Sequence, residues 1–243
     1  MSFIIIKTGS TLESLIQKKG DFEDWFLQHL DLAKEKVQII NVQNNQSLPA
    51  LSGISGVLIT GSHSMVSNRE DWSEKAAIWI KDAVAQNIPV LGVCFGHQLL
   101  AHALGGKVGP NPKGLEGGTL LLETTDAAKT DPLFAEFDNS FFAQAIHFES
   151  VLSLPEGAIV LAGNQHDPHH AFRYGDNAWG FQFHPEFDVE IISDYIKYLE
   201  QDFSDLNVDS QSLIDNTFST LGSSQLLQKF SDFSQSKSCT VHH

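Results

Sequence analysis

The sequence predicts an α/β domain with a doubly wound, mostly parallel central sheet, flanked by helices and extended by short antiparallel strands. Three observations carry that expectation. Short β-branched apolar runs alternate with helical stretches over residues 3–104, the run at 90–93 passes into a helix through Gly92-Val93-Cys94-Phe95-Gly96, and residues 119–183 divide into short strands separated by Gly, Pro, Asn and Asp.

The first run, Phe3-Ile4-Ile5-Ile6, has no polar alternation, as befits a parallel strand buried on both faces, and 37–42 and 56–60 repeat that composition. Over 71–86 the residues Trp72, Ala76, Ile80, Ala83 and Val84 fall near helical spacing, and Pro89 introduces the next strand at 90–93. The following helix carries Leu99, Leu100, Ala103 and Leu104 on one side and stops at Gly105-Gly106. Strands are expected at 119–123, 141–146, 158–162, 171–174 and 178–183, then a helix over 189–199 in which Val189, Ile192, Tyr195, Ile196 and Leu199 share a face. Beyond 203 the composition turns to Ser, Gln and Asp, with weak helical patterns at 211–221 and 224–233. The organisation expected is one domain over 1–202 and a polar, partly helical tail or cap over 203–243.

Thirty acidic residues against fifteen basic ones give a formal charge of −15, which repels phosphate backbones and anionic lipid and argues against nucleic acid or membrane as partners. No apolar run is long enough to cross a bilayer, and the apolar stretch after Met1 is too short for a signal peptide, so a cytoplasmic location is expected. Cys94 and Cys239 lie far apart without a CxxC neighbour, which suits two free thiols; Cys239 is read as an incidental exposed one. A phosphate loop ending in Lys-Ser/Thr is absent, and no cofactor is expected.

Chemistry concentrates in two segments. Cys94 sits between glycines at 92 and 96, directly after a strand and before a helix, where a tight turn raises a nucleophile and the helix N-terminus supplies N–H groups and a positive dipole end. Taken alone, the same residue is a small buried side chain at a strand end. The second segment, Phe183-His184-Pro185-Glu186, ends an alternating strand. Proline keeps His184 extended, so that the imidazole and the carboxylate two positions on project to one side and Glu186 can orient His184 as a base. A turn-capping histidine is the plain alternative, and the cysteine turn in the same chain tips the balance.

Together, Gly-Val-Cys-Phe-Gly-His-Gln and Phe-His-Pro-Glu resemble the class I glutamine amidotransferase family, in particular domains similar to the amidotransferase part of GMP synthetase. The resemblance covers about residues 3–200 and implies a flavodoxin-like fold. It implies Cys94 as nucleophile on a glutamine side-chain amide, His184 as the group that protonates departing ammonia, and Glu186 as its holder. It places the oxyanion hole at the N–H groups of Gly61, in Thr60-Gly61-Ser62, and Phe95, although the usual Gly-Gly-Pro is absent there. Gln98, His147 and Phe148 become substrate contacts by the same resemblance. Glu116, in Gly114-Leu115-Glu116-Gly117-Gly118, resembles a glutamate-glycine hairpin of the same branch; shaping the pocket is one reading, and a solvated turn carboxylate is preferred. His166, His169 and His170 are read as a polar hairpin loop in preference to a zinc site, so no metal is expected.

Three functions stay open at this level: release of ammonia from glutamine for a synthetase in a separate chain, cleavage of γ-glutamyl amides of glutathione-like compounds, and a non-catalytic regulatory domain on the same scaffold. Activity is expected to rise near the histidine reference of ~6.5.

Overall fold

The computed structural model describes residues 1–240, with side chains for 1–237. In chain order the elements are β1 (Ser2–Lys7), α1 (Glu13–Lys19), α2 (Phe22–His29), β2 (Val37–Asn41), β3 (Ile54–Ile59), α3 (Asp71–Ala85), β4 (Val90–Val93), α4 (Phe95–Ala103), β5 (Lys107–Pro110), β6 (Glu116–Thr124), β7 (Ser140–His147), β8 (Glu149–Ser153), β9 (Ala158–Gly163), β10 (Ala171–Tyr174), β11 (Ala178–Phe181), α5 (Val189–Tyr198), α6 (Glu200–Asp205), α7 (Ser210–Asp215) and α8 (Leu221–Thr240).

The main sheet runs β2-β1-β3-β4-β11-β10-β9-β6-β7. Strands β2 to β11 in that order pair in parallel, and β10, β9, β6 and β7 continue the sheet antiparallel. A second small sheet pairs β5 with β8. The doubly wound core with added antiparallel strands is the architecture the sequence predicts.

Alternation along the buried strands sorts the core into two layers, because successive side chains point to opposite faces. Phe3, Ile5, Leu58, Leu91 and Val93 join α1, α2, α5 and α8 on one face. Ile4, Ile6, Val57, Ile59 and Val90 join α3 and α4 on the other.

Several boundaries differ from expectation for physical reasons. The strand expected over 178–183 leaves the ladder after Phe181, where Gln182 N–H turns to the His170 carbonyl at 2.8 Å and His184 N–H to that of Gln144 at 2.7 Å. Helices α1 and α2, not assigned individually from sequence, are anchored by Asp21, whose carboxylate caps α2 and accepts from Lys7 Nζ at 2.6 Å. Of the weak helical patterns, 211–221 shrinks to α7 and 224–233 grows into the 20-residue α8. The segment expected as a tail or cap buries Leu226, Leu227 and Phe230 in the same cluster as Phe3 and Trp179, with Phe230 edge-on to both aromatic rings at 6.2 Å. The side chain of Cys239 lies outside the described ones.

Candidate active site

Cys94 occupies the single residue between β4 and α4 with φ 52° and ψ −105°, a conformation that costs an L-residue free energy and persists only when its surroundings enforce it. Its N–H donates to the Phe181 carbonyl at 2.7 Å, and its carbonyl accepts from Gln98 N–H at 3.1 Å. The flanking glycines are required by close approach: a β-carbon on Gly92 would run into the Gly96 carbonyl, and one on Gly96 into the Ile59 carbonyl. The elbow therefore packs directly on β3. Sγ lies 3.9 Å from the Ile146 carbonyl oxygen, and Cys94 borders a cavity of about 250 Å³ shared with Ser62, His63, Gln98, Phe148 and Tyr195.

His184 is carried to the same place by its backbone bridge to Gln144 on β7. Its Nδ1 donates to Glu186 Oε1 at 2.7 Å, and its ring stacks on Phe187 with centroids 3.9 Å apart. The imidazole stands beside Cys94, close enough for the two groups to interact electrostatically. A β-carbon placed on Gly61 would sit 3.2 Å from His184 Cε1 and 3.8 Å from Cys94 Cβ, so one loop touches both side chains. Burial alone lowers the His184 pKa, but the charges of Glu186 and Cys94 and the hydrogen bonds to both outweigh it and raise the group to about 10. That differs from the expected reference value, because the histidine is enclosed between Glu186 and Cys94.

The other predicted positions are distributed as follows. Phe95 is the first residue of α4, where an N–H has no helical partner, and it shares the cavity wall with Cys94. The Gly61 loop is fixed by Thr8 Oγ1, which donates to its carbonyl at 2.9 Å. Gln98 lines the cavity, but its Nε2 donates to the Glu149 carbonyl at 2.8 Å and to Gln182 Oε1 at 3.0 Å. Phe148 presents its side chain to the cavity. His147 also lines it, yet both ring nitrogens are engaged inside the protein, with Glu116 and the Glu149 carbonyl. The reading of Glu116 as a solvated turn carboxylate is corrected: it opens β6, is 7% exposed, and accepts from His147 Nε2 and His170 Nε2, each at 3.0 Å. Glu116, His147 and His170 bring ligating atoms within 4.8 Å of one another, close enough to hold a cation, and they satisfy one another by hydrogen bonds. The loop histidines diverge: His166 Nε2 faces the Gly114 carbonyl and His169 Nδ1 the Val151 carbonyl.

The model of the "Glutamine amidotransferase class-I" family matches residues 18–198, most of the chain. The chain belongs to the class I glutamine amidotransferase family. Among relatives of this amidotransferase-family chain, γ-glutamyl peptidase 5 of Arabidopsis thaliana is 34% identical over 163 residues, which are 64% of this chain and 65% of that one. GMP synthase of Thermosipho africanus is 32% identical over 187 residues, 75% of this chain but 32% of the synthase. The chain thus spans just under two thirds of the first and about a third of the second. A solved glutamine amidotransferase from Methylobacillus flagellatus superposes with a TM-score of 0.76 over 97% of this chain and 94% of that one, at 20% identity, and shares its fold.

Two residues of this class I amidotransferase site escape sequence reasoning. His63, two positions after Gly61, hydrogen-bonds Tyr195 Oη at 3.0 Å and is pushed down in pKa chiefly by burial. Tyr195 has its pKa raised, again chiefly by burial, and also bonds Thr11 Oγ1 at 2.8 Å. In the sequence Tyr195 is one more apolar position of an amphipathic helix; only the packing of α5 across the cavity turns its hydroxyl toward the site. Among the described residues no helix is long and apolar enough to cross a membrane.

Proposed function

We propose that the chain hydrolyses γ-glutamyl amides, glutamine first among them, through a thioester on Cys94. The observation that carries this reading is the placement of His184 between the Cys94 thiol and the Glu186 carboxylate at the edge of a cavity. An imidazolium beside a sulfur at a helix N-terminus favours the thiolate. The thiolate attacks the amide carbon, and the charge developing on the carbonyl oxygen is met by the N–H groups of Phe95 and of the Gly61 loop. His184 then gives its proton to the leaving nitrogen, the C–N bond breaks, and the γ-glutamyl thioester remains. Water, losing a proton to His184, attacks the thioester and releases glutamate and the thiolate. Glu186 keeps the proton on Nδ1 and stabilises the imidazolium throughout.

With glutamine as substrate the leaving group is ammonia, and a synthetase in another chain is its natural consumer. A second reading, cleavage of γ-glutamyl peptides, is favoured by the aromatic mouth of the cavity, where His63, Phe148, Tyr195 and Tyr198 stand beside Cys94, and by likeness to a γ-glutamyl peptidase. The purified chain offered glutamine and a panel of γ-glutamyl dipeptides decides between them by which amine is released faster. A glutamine-mimicking chloroketone should alkylate Cys94 in the wild type and leave Cys94→Ala unmodified; a chain that neither reacts with it nor releases any amine is not this enzyme. Glu186→Gln should lower kcat by about 100-fold or more yet less than Cys94→Ala, since it orients and does not attack.

A further inference from the structure

The turn that joins β7 to β8, residues 146–149, forms one wall of the cavity beside Cys94, and behind it lies a buried His147–Glu116 contact that the mechanism above does not use. We propose that Glu116 is a positioning residue for this substrate-facing turn, acting through His147. The proposal rests on the reading that the cavity receives a γ-glutamyl group.

Proton bookkeeping at His147 follows from its neighbours. Nδ1 lies 3.0 Å from the Glu149 carbonyl oxygen, which can only accept. Ser150 Oγ, at 3.5 Å, is the more distant neighbour, and its oxygen already receives Asn111 Nδ2 at 2.8 Å. Nδ1 therefore donates to Glu149. On the other side Nε2 lies 3.0 Å from Glu116 Oε2. Three donors converge on Glu116, the third being Asn164 Nδ2 at 2.7 Å on Oε1. Burial opposes its charge, but these bonds and the two nearby histidines hold its carboxyl well below the usual range, so Oε2 stands as an acceptor toward His147 Nε2. Both ring nitrogens of His147 therefore face acceptors, the Glu149 carbonyl on one side and the Glu116 carboxylate on the other. Asp167 and, from α4, His97 are the other titratable groups facing this cluster.

The Glu149 carbonyl thereby receives two donors, His147 Nδ1 and Gln98 Nε2, the second projecting from α4 four residues after Cys94. The turn is tied to the helix that carries the nucleophile, with the Ile146 carbonyl 3.9 Å from Sγ. Replacing Glu116 by glutamine puts an amide, which can offer N–H groups in place of an acceptor, where the carboxylate stood, and the ring loses one of its two holds. The turn then loosens where substrate binds.

Glu116→Gln in the full chain tests this. The concentration of a chloroketone analogue of glutamine that half-saturates the alkylation of Cys94 should rise about tenfold, with the maximal rate within about threefold of wild type. In ¹⁵N-histidine NMR both nitrogens of His147 should be protonated in the wild type and one bare in the variant, a signature that a merely structural carboxylate would not produce. Should Glu116→Gln fail to fold, Asn164→Ala removes one donor from Glu116 and should raise half-saturation about twofold. An unchanged half-saturation in whichever variant folds, or a wild-type His147 with one bare nitrogen, overturns the proposal. A wild-type chain that the chloroketone never alkylates overturns the functional reading instead, and the NMR signature, which needs no substrate, still decides the role of Glu116.

Discussion

At Cys94 and His184 the local backbone and the local charge act together. The positive φ of Cys94 is held by the hydrogen bond to Phe181 at the end of β11, and the chain leaving that strand reaches His184, which is fixed in turn by its bridge to Gln144 on β7. The histidine is buried, which would by itself disfavour its charge, and it is charged nonetheless because Glu186 and Cys94 enclose it. Its pKa rises from 6.5 in the unfolded chain to about 10 in the folded one. A raised value means that the folded state binds the proton more tightly, so this contribution to stability is complete below pH 6.5 and declines as pH climbs toward about 10. Thermal unfolding followed from pH 6.5 to 10 should show that decline in the wild type and a flatter profile in His184→Asn. The basic limb of kcat should likewise stand near pH 10, where His184 loses the proton it donates to the leaving group, and not near the free-histidine value. A limb at 6–7 would contradict the enclosed-cation picture.

At the scale of elements, the fit of α4 onto the sheet sets where the sulfur stands. Gly96 lets the first turn of α4 lie against β3, with no room for a methyl group before the Ile59 carbonyl. Gly96→Ala should push the helix away, destabilise the fold by about 1–3 kcal/mol and cost activity out of proportion, because the elbow moves with the helix. Urea unfolding measured beside turnover separates the two losses; a stable but inactive variant fits, and a fully active one does not. The glycine pattern around Cys94 was legible in the sequence, as were most strands and the helices at α3, α4 and α5. Strands β5 and β8 were not, because four- and five-residue segments such as Lys107–Pro110 carry too little pattern to mark a ladder whose partner lies some forty residues away in the chain.

The whole molecule closes its core with its C-terminal helix. Leu226, Leu227 and Phe230 are fully buried against β1 and β11 side chains, although the helix they belong to is rich in Ser and Gln. Phe230→Ala should cost about 3–5 kcal/mol, as expected for a large side chain removed from a packed interior. A chain ended after residue 209 should bare Phe3 and Trp179 and aggregate; a monomeric, cooperatively unfolding product by sedimentation and calorimetry would show the helix to be dispensable.

The sequence by itself determined the α/β architecture, the strand–turn–helix at Cys94 and the His184-Pro185-Glu186 ending, because each is written in contiguous residues whose sterics act locally. What only the tertiary structure decided is which distant groups meet: the imidazole beside the sulfur, Tyr195 against His63, and Glu116 in the interior paired with His147. Side chains such as Glu116 and the Ser-rich α8 look solvent-facing when judged by residue type, and become interior once long-range packing supplies the hydrogen bonds or apolar neighbours that burial requires.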